Sequence, residues 1–144
     1  MARTKEVIEL ARSWIGTPYH HQASVKGVGV DCIGLARGVY RELYDIEPPE
    51  IINYSADWGD SNGKEDMVKI AFDYLEPVPL DRIGAGHVVL VRWKQHRIAK
   101  HCMIMTGPDS AIHAYNKASV VEINLSRWWL DRIVYAFEYP EEVK

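Results

Sequence analysis

Cysteine is nearly missing from this 144-residue chain: only Cys32 and Cys102 occur. The opening stretch "MARTKEVIELARSW" scatters charges where a secretory leader needs an unbroken apolar core, so no export signal is expected. A chain made and kept in the reducing cytosol does not build a disulfide scaffold, and both thiols are expected to be free. Long apolar runs are absent as well. Nothing approaches the ~20 residues of a spanning helix, which argues against a membrane protein. Basic excess is lacking: 17 Lys and Arg face 20 Asp and Glu, a net charge of −3 with no cationic stripe, so nucleic acid is not an expected partner. Neither CxxC nor HExxH appears. His20, His21, Cys32, His101 and His113 could offer nitrogen and sulfur to zinc, but no recognised spacing joins them, and no metal or organic cofactor is expected.

What is present suits one globular domain over residues 1–144, with 47% hydrophobic and 26% charged residues. Val7, Leu10, Ala11 and Trp14 recur at helical spacing, predicting a first helix capped by Thr4 and stopped at Gly16 before Pro18. Residues 16–30, "GTPYHHQASVKGVGV", have no period and read as a loop. A second helix should begin at Asp31 and Cys32, with Cys32, Leu35, Ala36, Val39 and Leu43 on its apolar face. Residues 44–64, rich in Pro, Gly and acid, read as a long surface connection that could shape a cleft, and a third helix follows over 65–75. From residue 86 onward short β-rich runs take over: "GHVVLVRW", "KHCMIMTG", "SAIHAYN", "SVVEINL" and "RIVYAFEYP". These predict an antiparallel meander, with "SRWWLDR" as a helical turn before the last strand. Helices first and strands afterwards make an α+β domain.

A thiol at a helix N-terminus is a candidate nucleophile, because unpaired N–H groups and the helix dipole favour the thiolate. Cys32 occupies that position, and His101 and His113, on neighbouring predicted strands, could supply a base and its orienting partner. Register decides whether they meet. A two-residue turn at Pro108 and Asp109 sets 101 opposite 116 and throws His113 to the other face. A loop of 108–110 sets 101 opposite 117 and leaves His113 on the right face but distant. A loop of 107–109, or an equivalent bulge, sets 101 opposite 115 and makes His113 a diagonal neighbour. Asn116 could orient the base instead. Cys102 follows His101 on the strand, so its side chain points to the opposite face and it reads as core. Trp128 and Trp129 read as packing residues in preference to a sugar-stacking platform.

"DCIGL" opening a helix, "HCMIM" opening a later strand and "AIHA" on the next resemble the NlpC-type cysteine peptidases, a papain-like family that cleaves peptidoglycan stem peptides. The similarity runs from "ARSWIGTPY" to the final strands. The form "GTPYHHQASVKGVGVDCIGLARGVY" is most similar to the branch found in bacteriophages and gene transfer agents, where the peptidase is tail-associated. The resemblance implies that Cys32 is the nucleophile, His101 the general base and His113 the residue orienting it. It further implies that Tyr19 of "GTPY" contacts substrate and that Asp31 helps hold the substrate's free amine. It implies peptidoglycan as partner, cleavage between γ-D-glutamyl and a diamino acid, and no cofactor. Without an export signal or wall-binding domain of its own, the chain is expected to reach the wall within a larger assembly such as a phage-like tail. Three positions depart from the family's habit: Ile33 replaces a serine, His87 replaces the aspartate of a "GD" pair, and His20 and His21 replace a glycine pair. They leave room for an inactive structural tail component, or for the same machinery acting as an amidase or acyltransferase on another substrate.

Overall fold

A computed structural model of the chain describes residues 3–48, 66–94, 98–115 and 117–144. The predicted 44–64 connection beyond residue 48, the start of the third helix at Glu65, and Asn116 lie outside the described residues. Helix α1 spans Thr4–Arg12, and a short hairpin of β1, Ser24–Val25, and β2, Gly29–Val30, leads into α2, Cys32–Tyr44. Then come α3, Asp66–Tyr74, and strands β3, Glu76–Val78, β4, Val88–Val91, β5, His101–Gly107, β6, Ser110–His113, and β7, Val121–Asn124. A single turn, α4, Arg127–Leu130, precedes β8, Ile133–Glu138. The α+β prediction stands; among the described residues no helix is long and apolar enough to cross a membrane.

Three details differ from the expectation. Thr4 is the first residue of α1 and not its cap, because the Val7 N–H already bonds the Arg3 carbonyl at 2.9 Å. The 16–30 segment is a loop except for its hairpin, whose turn uses Gly27 at φ +79, a left-handed conformation that glycine adopts without steric cost. The sheet is not a plain meander. Its order is β3-β8-β4-β5-β6-β7, so β8 returns to the free edge of β4. The reason lies in "VVLV": all four residues of β4 are buried, and a strand so apolar belongs in the middle of a sheet, with partners on both sides.

Helices α1, α2 and α3 cover one face of the sheet. Val7, Trp14, Leu35, Val39 and Met67 pack there on Leu90, Cys102, Ile104, Ile112 and Phe137. Gly38 admits the Trp14 ring, since a Cβ would stand 2.2 Å from it, and the indole N–H reaches Glu42 at 2.6 Å. The opposite face carries a smaller cluster, Val89, Val91, Met103, Met105 and Ala136, against which Trp93, Trp129 and Leu130 pack. β5 therefore has one face on the helical core and one on the aromatic side, and it begins where α2 begins.

Candidate active site

The start of α2 is fixed by two backbone bonds to one carboxylate. Asp31 is the N-cap; its Oδ1 accepts the Gly34 N–H at 2.8 Å, and its Oδ2 accepts the Gln22 N–H at 2.7 Å, with Gln22 held at φ 63. Such a cap stabilises a helix by ~1 kcal/mol. Gly34 is required at this point: a Cβ would lie 2.0 Å from the Ala23 carbonyl oxygen, so no other residue lets the hairpin approach the first turn so closely. The Ser24 hydroxyl seals the junction by donating to the Gly34 carbonyl at 2.6 Å. Loop and helix together set Cys32 at the first helical position. Asp31 itself is 2% exposed, with both oxygens engaged inside the protein and His21 Nδ1 at 3.8 Å, so the observed work of this carboxylate is capping and loop anchoring.

Cys32 is buried and its thiol is held well below the ordinary cysteine range. A hydrogen bond from Cys102 is the largest cause; a hydrogen bond and positive charge from His101 add to it, and burial opposes both. Cys102 was expected to be core, and it is, on the helical face of β5. Its thiol nevertheless reaches the start of α2, donating to the Cys32 carbonyl at 3.2 Å. Strand alternation gives the face correctly but not this contact, because α2 lies directly over that face.

The two histidines meet. Ile104 pairs with Ile112 and Met105 with Ala111, whereas Gly107 pairs with Ser110; the register slips by one between Met105 and Gly107. The turn is thus the two-residue one, Pro108 and Asp109, and a bulge at Thr106 restores the register that makes His113 a diagonal neighbour of His101. His101 Nε2 stands 2.9 Å from His113 Nδ1, with both rings buried. Burial first, and the charge of His101 second, push the His113 pKa down to about 4. At neutral pH His113 is therefore uncharged, and its bare Nδ1 can accept the proton on His101 Nε2, which leaves His101 Nδ1 to serve Cys32.

Aromatic rings enclose the pair. Trp93 stacks on His101 at 5.5 Å and 22°, and Tyr115 lies parallel to His113 at 5.7 Å and 3°. Trp129 meets both imidazoles, at 6.0 and 5.4 Å. Trp129 packs on the histidine pair itself and Trp128 on Trp93 and Trp129, and Trp93 and Tyr115 complete a cage that sequence reading missed. A tryptophan pair is visible in "SRWWLDR", yet nothing local links it to Trp93. On the other side of the thiol, Tyr19 is half-buried, joined to Val30 by a parallel bridge. Burial, then the nearby negative charges of Asp31 and Cys32, raise its phenol to about 12, so it keeps its O–H.

The remaining candidates stay apart from the pair. His20 and His21 are exposed on the loop, and His87 accepts the Gly84 N–H at 3.1 Å in a turn, its pKa lowered chiefly by burial. Ile33 points into the helical core and not toward His101. Among the described residues no group of three or more His, Cys, Asp or Glu side chains is placed to hold a metal ion.

A helix-borne thiol facing a sheet-borne imidazole, itself bonded to a second polar residue, is the arrangement general to papain-like folds. The model of the NlpC/P60 family matches residues 16–137. The chain belongs to the NlpC/P60 family. Solved structures of the family share its fold. The NlpC/p60 domain of the peptidoglycan hydrolase SagA is 20% identical with a TM-score of 0.63, over 94% of this chain and 97% of that one. A Bacillus cereus NlpC/P60 protein is 19% identical with a TM-score of 0.67, over 94% of this chain and 40% of its own. The peptidoglycan hydrolase RipB of Mycobacterium tuberculosis is 17% identical with a TM-score of 0.59, over 95% and 66%. The chain thus spans nearly all of the SagA domain but less than half of the Bacillus protein. No curated protein matches it significantly. The NlpC/P60 fold places helices first and antiparallel sheet second, as here.

Proposed function

We propose that this NlpC/P60 domain is a cysteine peptidase that hydrolyses an amide bond in peptidoglycan stem peptides. The observation that carries the reading is the 2.9 Å bond between His101 Nε2 and His113 Nδ1 beside a thiol of depressed pKa. Membership of a family that includes peptidoglycan hydrolases supports the substrate.

Cys32 and His101 start as thiolate and imidazolium. The sulfur attacks the scissile carbonyl carbon, and the oxyanion accepts from the Cys32 N–H at the helix start. As the C–N bond breaks, His101 Nδ1 gives its proton to the leaving amine. Water then attacks the thioester, His101 takes its proton, and the C–S bond breaks to release the acid and regenerate the thiolate. His113 holds the imidazole plane throughout. Tyr19, a neutral phenol beside the sulfur, contacts the substrate. The bond cleaved joins γ-D-glutamyl to a diamino acid, and the likeness of residues 16–40 to the tail-associated branch supports a setting in a phage-like tail.

Digesting purified peptidoglycan with the wild type and with Cys32→Ala tests this. New free amines and shortened muropeptides from the wild type alone are the expected result, and their masses identify the bond. An unchanged muropeptide profile with a reactive thiol would overturn the substrate and leave an amidase or acyltransferase. Mass spectrometry of purified tail particles tests the setting, and absence of this chain there would overturn it.

A further inference from the structure

His101 is supported from behind by a continuous stack of planar groups that crosses the aromatic face of the sheet. The Trp93 ring lies on the imidazole at 5.5 Å and 22°, and Trp128 lies along Trp93 at 6.1 Å and 28°. The Arg132 guanidinium caps Trp128 at 4.0 Å from the ring centre. Arg132 is not loose: its Nε donates to the Trp93 carbonyl at 3.2 Å and its Nη1 to the Trp128 carbonyl at 2.8 Å. One side chain thereby ties Trp93, two residues past the end of β4, to α4 and sets the tilt of both indoles. Trp129 closes the side, edge-on to Trp93 at 5.8 Å and 64°.

Trp128 is 47% exposed, which suggests a sugar platform at first sight. It is not an open platform: Arg132 sits over its ring at 4.0 Å and Trp93 stacks beside it at 6.1 Å and 28°. The stack instead leads inward and ends on the imidazole. A ring held face-on to His101 does two things. It fixes the imidazole plane, so that Nε2 stays on His113 and Nδ1 on Cys32, and its π-face attracts positive charge beside the Cys32 thiolate.

We propose that Trp93, held by Trp128 and Arg132, is a positioning residue for His101 that sets the protonation of the Cys32–His101 pair. The inference rests on the peptidase reading of the same site. None of the three side chains needs to touch substrate, so their loss should lower kcat while leaving KM nearly unchanged.

The test is the rate of Cys32 alkylation against pH, with Cys102→Ser in every variant, for wild type, Trp93→Leu, Trp93→Phe and Arg132→Leu. Trp93→Leu should move the thiolate midpoint upward toward the ordinary thiol value of about 8.5. It should also cut kcat on peptidoglycan by at least about tenfold, in keeping with the cost of misplacing a reacting group. Trp93→Phe, which keeps a ring face, should restore most of both, and Arg132→Leu should give the same shift in smaller measure. Arg132→Leu, lying half-buried at the surface, keeps the test open if Trp93→Leu does not fold. A lower melting temperature with an unchanged alkylation midpoint and kcat would overturn the proposal, because a purely structural stack predicts that pattern. Failure of the peptidase reading looks different: the wild-type thiol itself would then titrate as an ordinary cysteine, and there would be no pair to position.

Discussion

The two cysteines lie against each other, yet their thiols are driven in opposite directions. Both are buried, at 7% and 2% exposed, and burial raises the pKa of each. Cys102 goes well up, first through its hydrogen bond with Cys32, then through burial and the negative charge of Cys32. Cys32 goes well down, first through the bond from Cys102 and then through His101. Two thiols in contact cannot both ionise, because like charges close together disfavour the second ionisation. Which one ionises is settled by position. Cys32 opens a helix and faces the imidazole at the first residue of β5, whereas Cys102, one residue further on, turns to the helical core and can only donate. Burial marks neither thiol as reactive; the partner does.

Removing His101 should break the contrast most severely. His101→Ala leaves Cys32 without its base and without the positive charge beside it, so kcat/KM should fall by about 10³-fold or more. The Cys32 alkylation profile should shift upward through loss of the imidazole's bond and charge, with the Cys102 bond still opposing burial. A variant that retained activity within a few fold would show that the thiol is activated by Cys102 and the helix start without a base.

His113 comes next, and its effect depends on pH. Unfolded histidine titrates near 6.5, and folded His113 near 4. Between these values the unfolded chain binds a proton that the folded one does not. The contribution to stability is therefore full above pH 6.5 and declines as pH falls toward 4, by roughly 3 kcal/mol in all. His113→Asn should flatten that part of the stability profile, as read from urea midpoints at pH 7 and pH 4.5. Its amide oxygen can still accept from His101 Nε2, so activity should drop by no more than about tenfold, while His113→Leu should lose about a hundredfold. An unaltered acid slope in His113→Asn would assign the acid sensitivity to other groups.

Much of this site was legible in the chain because its signals are local. A glycine-rich turn, a capping aspartate and an apolar face at helical spacing place Cys32 without any tertiary information, and alternation puts His101 and Cys102 on opposite faces of one strand. His113 was legible only conditionally. Its approach depends on the bulge at Thr106, a single inserted residue that the sequence "TGPDS" permits but does not demand. The rest was hidden because it depends on long-range packing. Trp93 reaches Trp128 and Arg132 only because β8 returns to β4. Cys102 reaches Cys32 only because α2 lies across β5. Asp31, named for substrate binding through resemblance, caps α2 through the local Gly34 N–H, but its second backbone partner, the Gln22 N–H, is supplied only by the folded loop.

The mildest and most discriminating change is Cys102→Ala. It removes the S–H that donates to the Cys32 carbonyl and leaves a small gap between α2 and β5, at a cost of about 1 kcal/mol in stability. Since Cys102 is the largest single cause of the Cys32 shift, the Cys32 thiolate midpoint should rise, yet remain below the ordinary value because His101 is untouched. Cys102→Ser keeps a donor of nearly the same size and should leave the midpoint close to wild type. Alkylation against pH for the three proteins, alongside their melting temperatures, separates the effects: packing alone would lower the melting temperature of Cys102→Ala without moving its thiol. A midpoint that did not move would leave His101 and the helix start as the whole cause of activation and reduce Cys102 to a core residue. A midpoint that moved in Cys102→Ala and returned in Cys102→Ser would make the second cysteine a supporting donor of the nucleophile, reached through the core and not through the substrate cleft.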